Sequence, residues 1–184
     1  FNTDLISLNK IEVLPSVRKQ LDEEKLDFLK NGDLIIADAS EDYAGVCDSV
    51  ELIDVGKNKV VSGLHTFAAR SSTVANGFKT YVLKHNLVKK RLKQIATGIS
   101  VLGVSKSNIA KVEVVLPPLA EQKKIAEILG TWDEAIAHTT ELVAQLKARK
   151  KGLMQQLLTG STRLPGFSGE WNEARSGDVA SQYT

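Results

Sequence analysis

Six cations, Lys79, Lys84, Lys89, Lys90, Arg91 and Lys93, fall within fifteen consecutive residues that contain no acid. Such a run can neutralise backbone phosphates and release their counterions, which gives salt-dependent affinity for DNA or RNA. An ordinary exposed helix with a positive bias would carry the same letters. Arg70, Ser100 and Lys106 extend the candidate DNA-binding set on either side. Ser71, Ser72, Thr73, Asn76, Thr97, Ser105 and Ser107 add side chains suited to phosphates or base edges.

Catalytic constellations are incomplete by comparison. The sequence holds no Gly-x-x-x-x-Gly-Lys-Ser/Thr phosphate loop, no Gly-x-Gly-x-x-Gly turn and no Gly-x-Ser-x-Gly elbow. Leu116-Pro117-Pro118-Leu119 is similar to the Pro-Pro loop of amino-methyltransferases. It lacks both the preceding Asn or Asp that would hold an amino group and the following aromatic that would stack on a base. A strand-to-helix joint with Pro near the helix start is the simpler reading. A metal-dependent nuclease needs clustered carboxylates with a nearby Lys. Glu23-Glu24-Lys25 supplies those letters, but within Asp22–Asp27 it reads as a solvated helical face. Asp38, Glu41 and Asp42 could be metal ligands, acceptors for cytosine amino groups or turn-formers, and turn-forming is favoured. His65, His85 and His138 lack ligand spacing, and Cys47 is the only cysteine. An internal disulfide and a cysteine-built zinc site are therefore excluded, inert burial is expected for the thiol, and the expected setting is reducing and cytoplasmic.

The elements that must position these residues fall into two kinds. Up to Pro118 the chain reads as short strands and short helices, an α+β pattern. Asp33–Ala37 follows an Asn31-Gly32 turn signal and is a buried-strand candidate. Val50–Ile53 and Val60-Val61 flank Gly56–Lys59 as a hairpin with a longer loop. His65–Ala69 is a further strand, the basic stretch is a helix stopped by Gly98, and Lys111–Leu116 is a strand ended by Pro117-Pro118. From Leu119 the period changes. Ile125, Leu129, Trp132, Ile136, Thr139, Val143, Leu146, Lys150, Leu153 and Leu157 are spaced alternately by four and three, and eight of the ten are apolar. That is a coiled-coil seam on a helix roughly 60 Å long, closed by Gly160. A helix of this kind cannot bury its seam alone and requires a partner helix. Gly130 weakens it by about 1 kcal/mol, and Thr139 and Lys150 cost seam stability or fix register.

The net charge of +2 conceals a division along the chain. Residues 1–60 carry 7 Lys and Arg against 13 acids, residues 61–118 carry 9 against 1, and residues 119–184 carry 8 against 8. The basic middle segment is the part suited to phosphate, while the acidic first segment faces away from it or meets a protein partner. No run approaches 18 apolar residues, so a membrane-spanning helix is excluded, and Phe1-Asn2-Thr3-Asp4 opens no signal peptide.

Leu116-Pro117-Pro118-Leu119-Ala120-Glu121-Gln122-Lys123-Lys124-Ile125-Ala126, continuing through Leu129, Trp132-Asp133 and Ala135-Ile136, resembles the specificity subunits of type I restriction–modification systems. The resemblance resumes at Lys150–Gly160 and at Arg163-Leu164-Pro165-Gly166-Phe167, and Gly32–Ile36 through Val61–Thr66 is similar to the second part of that family's target recognition domain. It implies an α+β fold, with a mixed α/β target recognition domain at 1–118, one long coiled-coil-forming spacer helix at 119–160, and a linker with the start of a second recognition domain at 161–184. It implies a non-catalytic DNA-recognition and scaffold subunit that directs adenine methylation and restriction to a bipartite site. The implied partners are double-stranded DNA, modification (methyltransferase) subunits, a restriction subunit, and a second spacer helix in the same chain or in another copy. No cofactor is expected on this chain; S-adenosylmethionine, ATP and magnesium are expected on the partner subunits. The usual opening of the first domain and most of a second domain are missing from the match, so a fragment, a truncated reading frame and a half-length subunit that pairs with itself all remain open. The alternative function is a coiled-coil assembly module whose first domain binds protein.

Overall fold

The computed structural model describes residues 7–8, 14–17 and 26–180. The readings of Phe1–Asp4 and of Glu23-Glu24-Lys25 lie outside the described residues. The chain divides into two compact units, Phe1–Asp133 and Glu134–Thr184.

The first unit is built on a sheet of β1 (Ser7–Leu8), β4 (Ser49–Leu52), β2 (Leu34–Ala37) and β5 (Thr66–Ala69), in that spatial order. β1 runs parallel to β4, and the other neighbours are antiparallel. A separate two-stranded ribbon pairs β3 (Ala39–Ser40) with β6 (Leu102–Gly103). β2 is buried along its whole length because both of its faces are covered. Leu34 and Ile36 meet Val88, Leu92, Leu102 and Val104 on one face, while Ile35 joins Leu29, Val50, Leu52 and Val60 on the other. That split follows from the two-residue period of a strand. An apolar run in sequence is thus a central strand.

The helices are α1 (Lys79–Lys84), α2 (Asn86–Gln94), α3 (Lys106–Ile109), α4 (Leu119–Leu158) and α5 (Ser176–Val179). Three sequence expectations are corrected. The basic stretch is two helices, because His85 takes an extended ψ of 134° and breaks the ladder, and α2 ends before Gly98. Val50–Ile53 does not hairpin with Val60-Val61; β4 pairs instead with β2 and β1, and Val60 accepts a hydrogen bond from the Leu29 N–H at 2.8 Å. Lys111–Leu116 has the alternation of a strand but joins no ladder, and Val112 and Val114 pack against the core as an extended strap.

α4 is 40 residues long and runs unbroken through Gly130 and Gly152. Thr139 donates its hydroxyl to the Ala135 carbonyl at 2.8 Å, so this polar seam residue is satisfied within its own helix. Past the helix end, Gly160 takes a positive φ of 71°, which favours glycine at that position. The Trp171 ring lies against Gly160, and the Arg163 guanidinium sits 5.5 Å from the ring centroid.

Candidate nucleic-acid interface

Antiparallel pairing sets Glu51 opposite Leu34 and Ser49 opposite Ile36. Directly opposed residues share a face, so Glu51 points to the helix side of the sheet together with Leu34. A buried carboxylate there needs a cation. Lys79 supplies it: its Nζ lies 2.9 Å from Glu51 Oε1 and 2.7 Å from Asn76 Oδ1, and the Gly77 N–H donates to the same Glu51 oxygen at 2.8 Å. The Lys79 side chain is 6% exposed. The expectation that Lys79 faces phosphate is therefore corrected, since its ammonium is enclosed between α1 and β4.

Lys84 and Lys89 converge on a second buried carboxylate, Asp48, at 3.4 and 3.5 Å. Burial pushes the Lys89 ammonium pKa down from its ordinary value, and Asp48 opposes that shift. Arg70 is also committed within the fold. Its Nε and an Nη atom donate to the two Asp33 oxygens at 2.7 and 2.6 Å, and this hydrogen bonding, with the Lys30 N–H, holds the Asp33 carboxyl below its usual range against burial.

The remaining candidates lie outward. Lys90 and Arg91 are exposed on α2, with one Arg91 nitrogen bonded to the Glu113 carbonyl at 2.7 Å. Lys93 is half-buried in the last turn, where cations also complement the helix dipole. Lys106 is exposed with its ammonium 5.2 Å from the Phe67 ring centroid, and Ser100 is exposed in the loop before β6. Asp42 acts as the turn-former: its carboxylate accepts the Gly45 N–H at 2.6 Å, and its own N–H donates to Ser40 Oγ at 3.2 Å. The Asp38 carboxylate lies 3.6 Å from His65 Nδ1, and Glu41 is exposed. Burial raises the Cys47 thiol pKa to about 11, which keeps it inert. Among the described residues no cluster of His, Cys, Asp and Glu could hold a metal ion, and no helix is long and apolar enough to cross a membrane.

The joint into α4 is a built latch. Gln122 is the buried residue of that helix; its Oε1 accepts the Ala75 N–H at 2.9 Å and its Nε2 donates to the Pro117 carbonyl at 2.8 Å. About three turns along, Tyr81 donates its hydroxyl to the Asp133 carboxylate. Burial and that bond raise the phenol pKa well above its ordinary range, so it remains a donor. Gln122→Ala should lower the urea midpoint of unfolding, at a cost of about 1–3 kcal/mol for the orphaned partners. An unchanged midpoint would show that water replaces both bonds. The Gln letter of the Pro-Pro-Leu-x-Glu-Gln joint was visible in sequence; its two backbone partners were not.

Of the seam residues, Ile125 and Leu157 are half-buried. Leu129, Trp132, Ile136, Val143, Leu146 and Leu153 are exposed, Trp132 at 67%. They form the stripe that the four-three spacing predicts.

The sequence model of the type I restriction modification DNA specificity domain matches residues 9–148. The chain is 33% identical over 103 residues to the type I restriction enzyme MjaVIII specificity subunit of Methanocaldococcus jannaschii, covering 56% of this chain and 21% of that protein. It is 26% identical over 88 residues to the type I restriction enzyme EcoKI specificity subunit of Escherichia coli, covering 48% of this chain and 19% of that protein. The match thus spans less than a quarter of the length of these curated relatives. In fold, the chain is similar to the S subunit of a type I restriction–modification system from M. genitalium, with a TM-score of 0.53 and 15% identity over 72% of this chain and 34% of that one.

Proposed function

The chain belongs to the type I restriction modification DNA specificity family, and from that premise we propose that it is a non-catalytic subunit that recognises one part of a bipartite DNA site. The observation that carries this reading is the family match across residues 9–148, which takes in most of the first unit and much of α4. The exposed cations of α2 supply a sequence-independent hold on phosphate, and the Gln122 latch ties the first turn of α4 to the rest of the first unit. The same family match favours DNA over the alternative of a protein-binding module. Adenine methylation would be performed by modification subunits that bind S-adenosylmethionine, and translocation and cleavage by a restriction subunit that uses ATP and magnesium. The exposed stripe of α4 would pair with a second spacer helix, supplied by a longer chain or by another copy.

Salt titration of binding to a duplex tests the reading. Affinity should fall steeply between about 50 and 200 mM salt if phosphates are contacted. Replacing Lys90, Arg91 and Lys93 together with Gln should weaken binding to all sequences about equally and flatten the salt slope by about one for each phosphate left unneutralised. A loss confined to one sequence would move these residues from positioning to base readout, and an unchanged slope would remove them from the interface.

A further inference from the structure

The β3–β6 ribbon ends in two exposed loops. Pairing of Ala39 with Gly103 and of Ser40 with Leu102 fixes the register. Because the strands are antiparallel, the chain leaves β3 and enters β6 at the same end of the ribbon. Loop 41–45 and loop 98–101 therefore project from one place, although more than fifty residues separate them in sequence.

Both loops are held in shape by their own bonds. The first is closed by the Asp42 carboxylate on the Gly45 N–H and by Ser40 Oγ on the Asp42 N–H. The second is closed by Thr97 and Gly103, which exchange N–H to carbonyl bonds of 3.0 and 2.7 Å. Gly98 turns that loop with a φ of 132°, and a Cβ there would lie 1.9 Å from the Val101 carbonyl oxygen. The loop is thus restricted to glycine at that point and held against collapse.

These shaped loops hold apolar side chains out in water. Ile99 is fully exposed, at 102%, and Tyr43 is 58% exposed. Burying an isoleucine is favourable, and the fold forgoes that gain here. Lys93 stands close enough to Asp42 to help lower its carboxyl pKa, after the stronger effect of the Gly45 N–H. Lys90 is one turn earlier on α2. The apolar end of the ribbon therefore has one cation, Lys93, beside it, with Lys90 on the same helix. A major groove about 12 Å wide admits a two-stranded ribbon whose strands are about 4.8 Å apart, and an apolar side chain there meets the thymine methyl.

We propose that this ribbon end is the base-reading surface of the first unit, with Ile99 packing on a thymine 5-methyl group and the Tyr43 hydroxyl bonding a base edge in the major groove of duplex DNA. The proposal rests on the DNA-recognition reading above and assigns to it the residues that select sequence. Lys90 and Lys93 then hold flanking phosphates and carry no sequence information.

The test uses the 184-residue chain and a pool of duplexes with a randomised central segment. Wild-type protein should enrich a short motif containing a preferred thymine. Ile99→Ala should weaken that preference by about four-fold, the effect of leaving roughly one methylene unburied, while affinity for the unselected pool stays within about two-fold. Tyr43→Phe should relax a different position. Replacing the preferred thymine by uracil in the selected duplex removes only the methyl group; it should weaken wild-type binding by the same factor and leave Ile99→Ala unaffected. Both side chains are exposed, so thermal melts of the variants should match wild type. Enrichment of the same motif with the same strength by all three proteins would overturn the assignment and leave DNA recognition standing. A wild-type chain that binds the pool without enriching any motif, or does not bind it, would overturn both, and the exposed tip would then be a protein-contacting surface.

Discussion

Lys79→Met should destabilise the first unit by about 3–5 kcal/mol, because it removes the cation from a buried ion pair and leaves the Glu51 carboxylate enclosed with the Gly77 N–H as its hydrogen-bond donor. Urea unfolding followed by circular dichroism reads this directly. Lys90→Met, on the exposed side of α2, should shift stability by no more than about 0.5 kcal/mol. Replacing both members of the pair, Lys79→Met with Glu51→Leu, should recover much of the loss, since neither substitution then leaves a buried charge alone. The folded fraction of Lys79→Met should keep the wild-type salt slope for DNA. A stable Lys79→Met protein with a reduced slope would mean that this ammonium reaches phosphate after all.

Assembly carries the second large effect. Leu146→Asp and Trp132→Asp each set a carboxylate on the exposed stripe of α4. If that stripe is covered by a partner helix, the variant must desolvate the charge or give up the pairing, which should weaken association by at least about 100-fold, or about 3 kcal/mol. Sedimentation at micromolar concentration should show the 184-residue chain self-associating and both variants dissociated, with the urea transition of the first unit unchanged in Leu146→Asp. Unchanged oligomer size in both variants would reject the stripe as the interface. A monomeric parent chain would reject pairing between copies.

The two experiments probe features that were unequally legible in the sequence. The seam of α4 is a local pattern: ten positions at alternating spacings of four and three define a face whatever the chain does elsewhere. The β2 strand was legible for the same reason, as an apolar run after a turn signal. The hairpin at Val50–Val61 failed because strand partners are chosen by whole-sheet packing, and β2 offers β4 a longer apolar neighbour than Val60-Val61 can. A strand at Lys111–Leu116 is not formed for a similar reason: alternation gives an extended segment two faces, but it does not supply a neighbouring strand.

Charge was the least local property of all. In sequence, Lys79, Lys84 and Lys89 stand among cations and read as one positive surface with Lys90, Arg91 and Lys93. The fold draws the first three toward Glu51 and Asp48, acids from the chain's acidic first segment, and sets Arg70 against Asp33. Those partners are 28 to 41 residues away. The apparent opposition of an acidic and a basic segment is thus partly the inner ion pairing of one domain.

By itself, then, the sequence determined the long seam-bearing helix, the Pro-Pro-Leu-x-Glu-Gln joint that opens it, the central strand, and the resemblance to type I specificity subunits. All of these are periodicities or contiguous motifs, which a chain carries independently of its fold. The tertiary structure alone decided which cations face inward and which outward, which backbone groups Gln122 satisfies, and that Tyr43 and Ile99 emerge at one end of a ribbon. The inward ion pairs and the ribbon end follow from strand register, which brings together residues that sequence distance keeps apart. The Gln122 bonds follow from the packing of the first turn of α4 against the Ala75 segment.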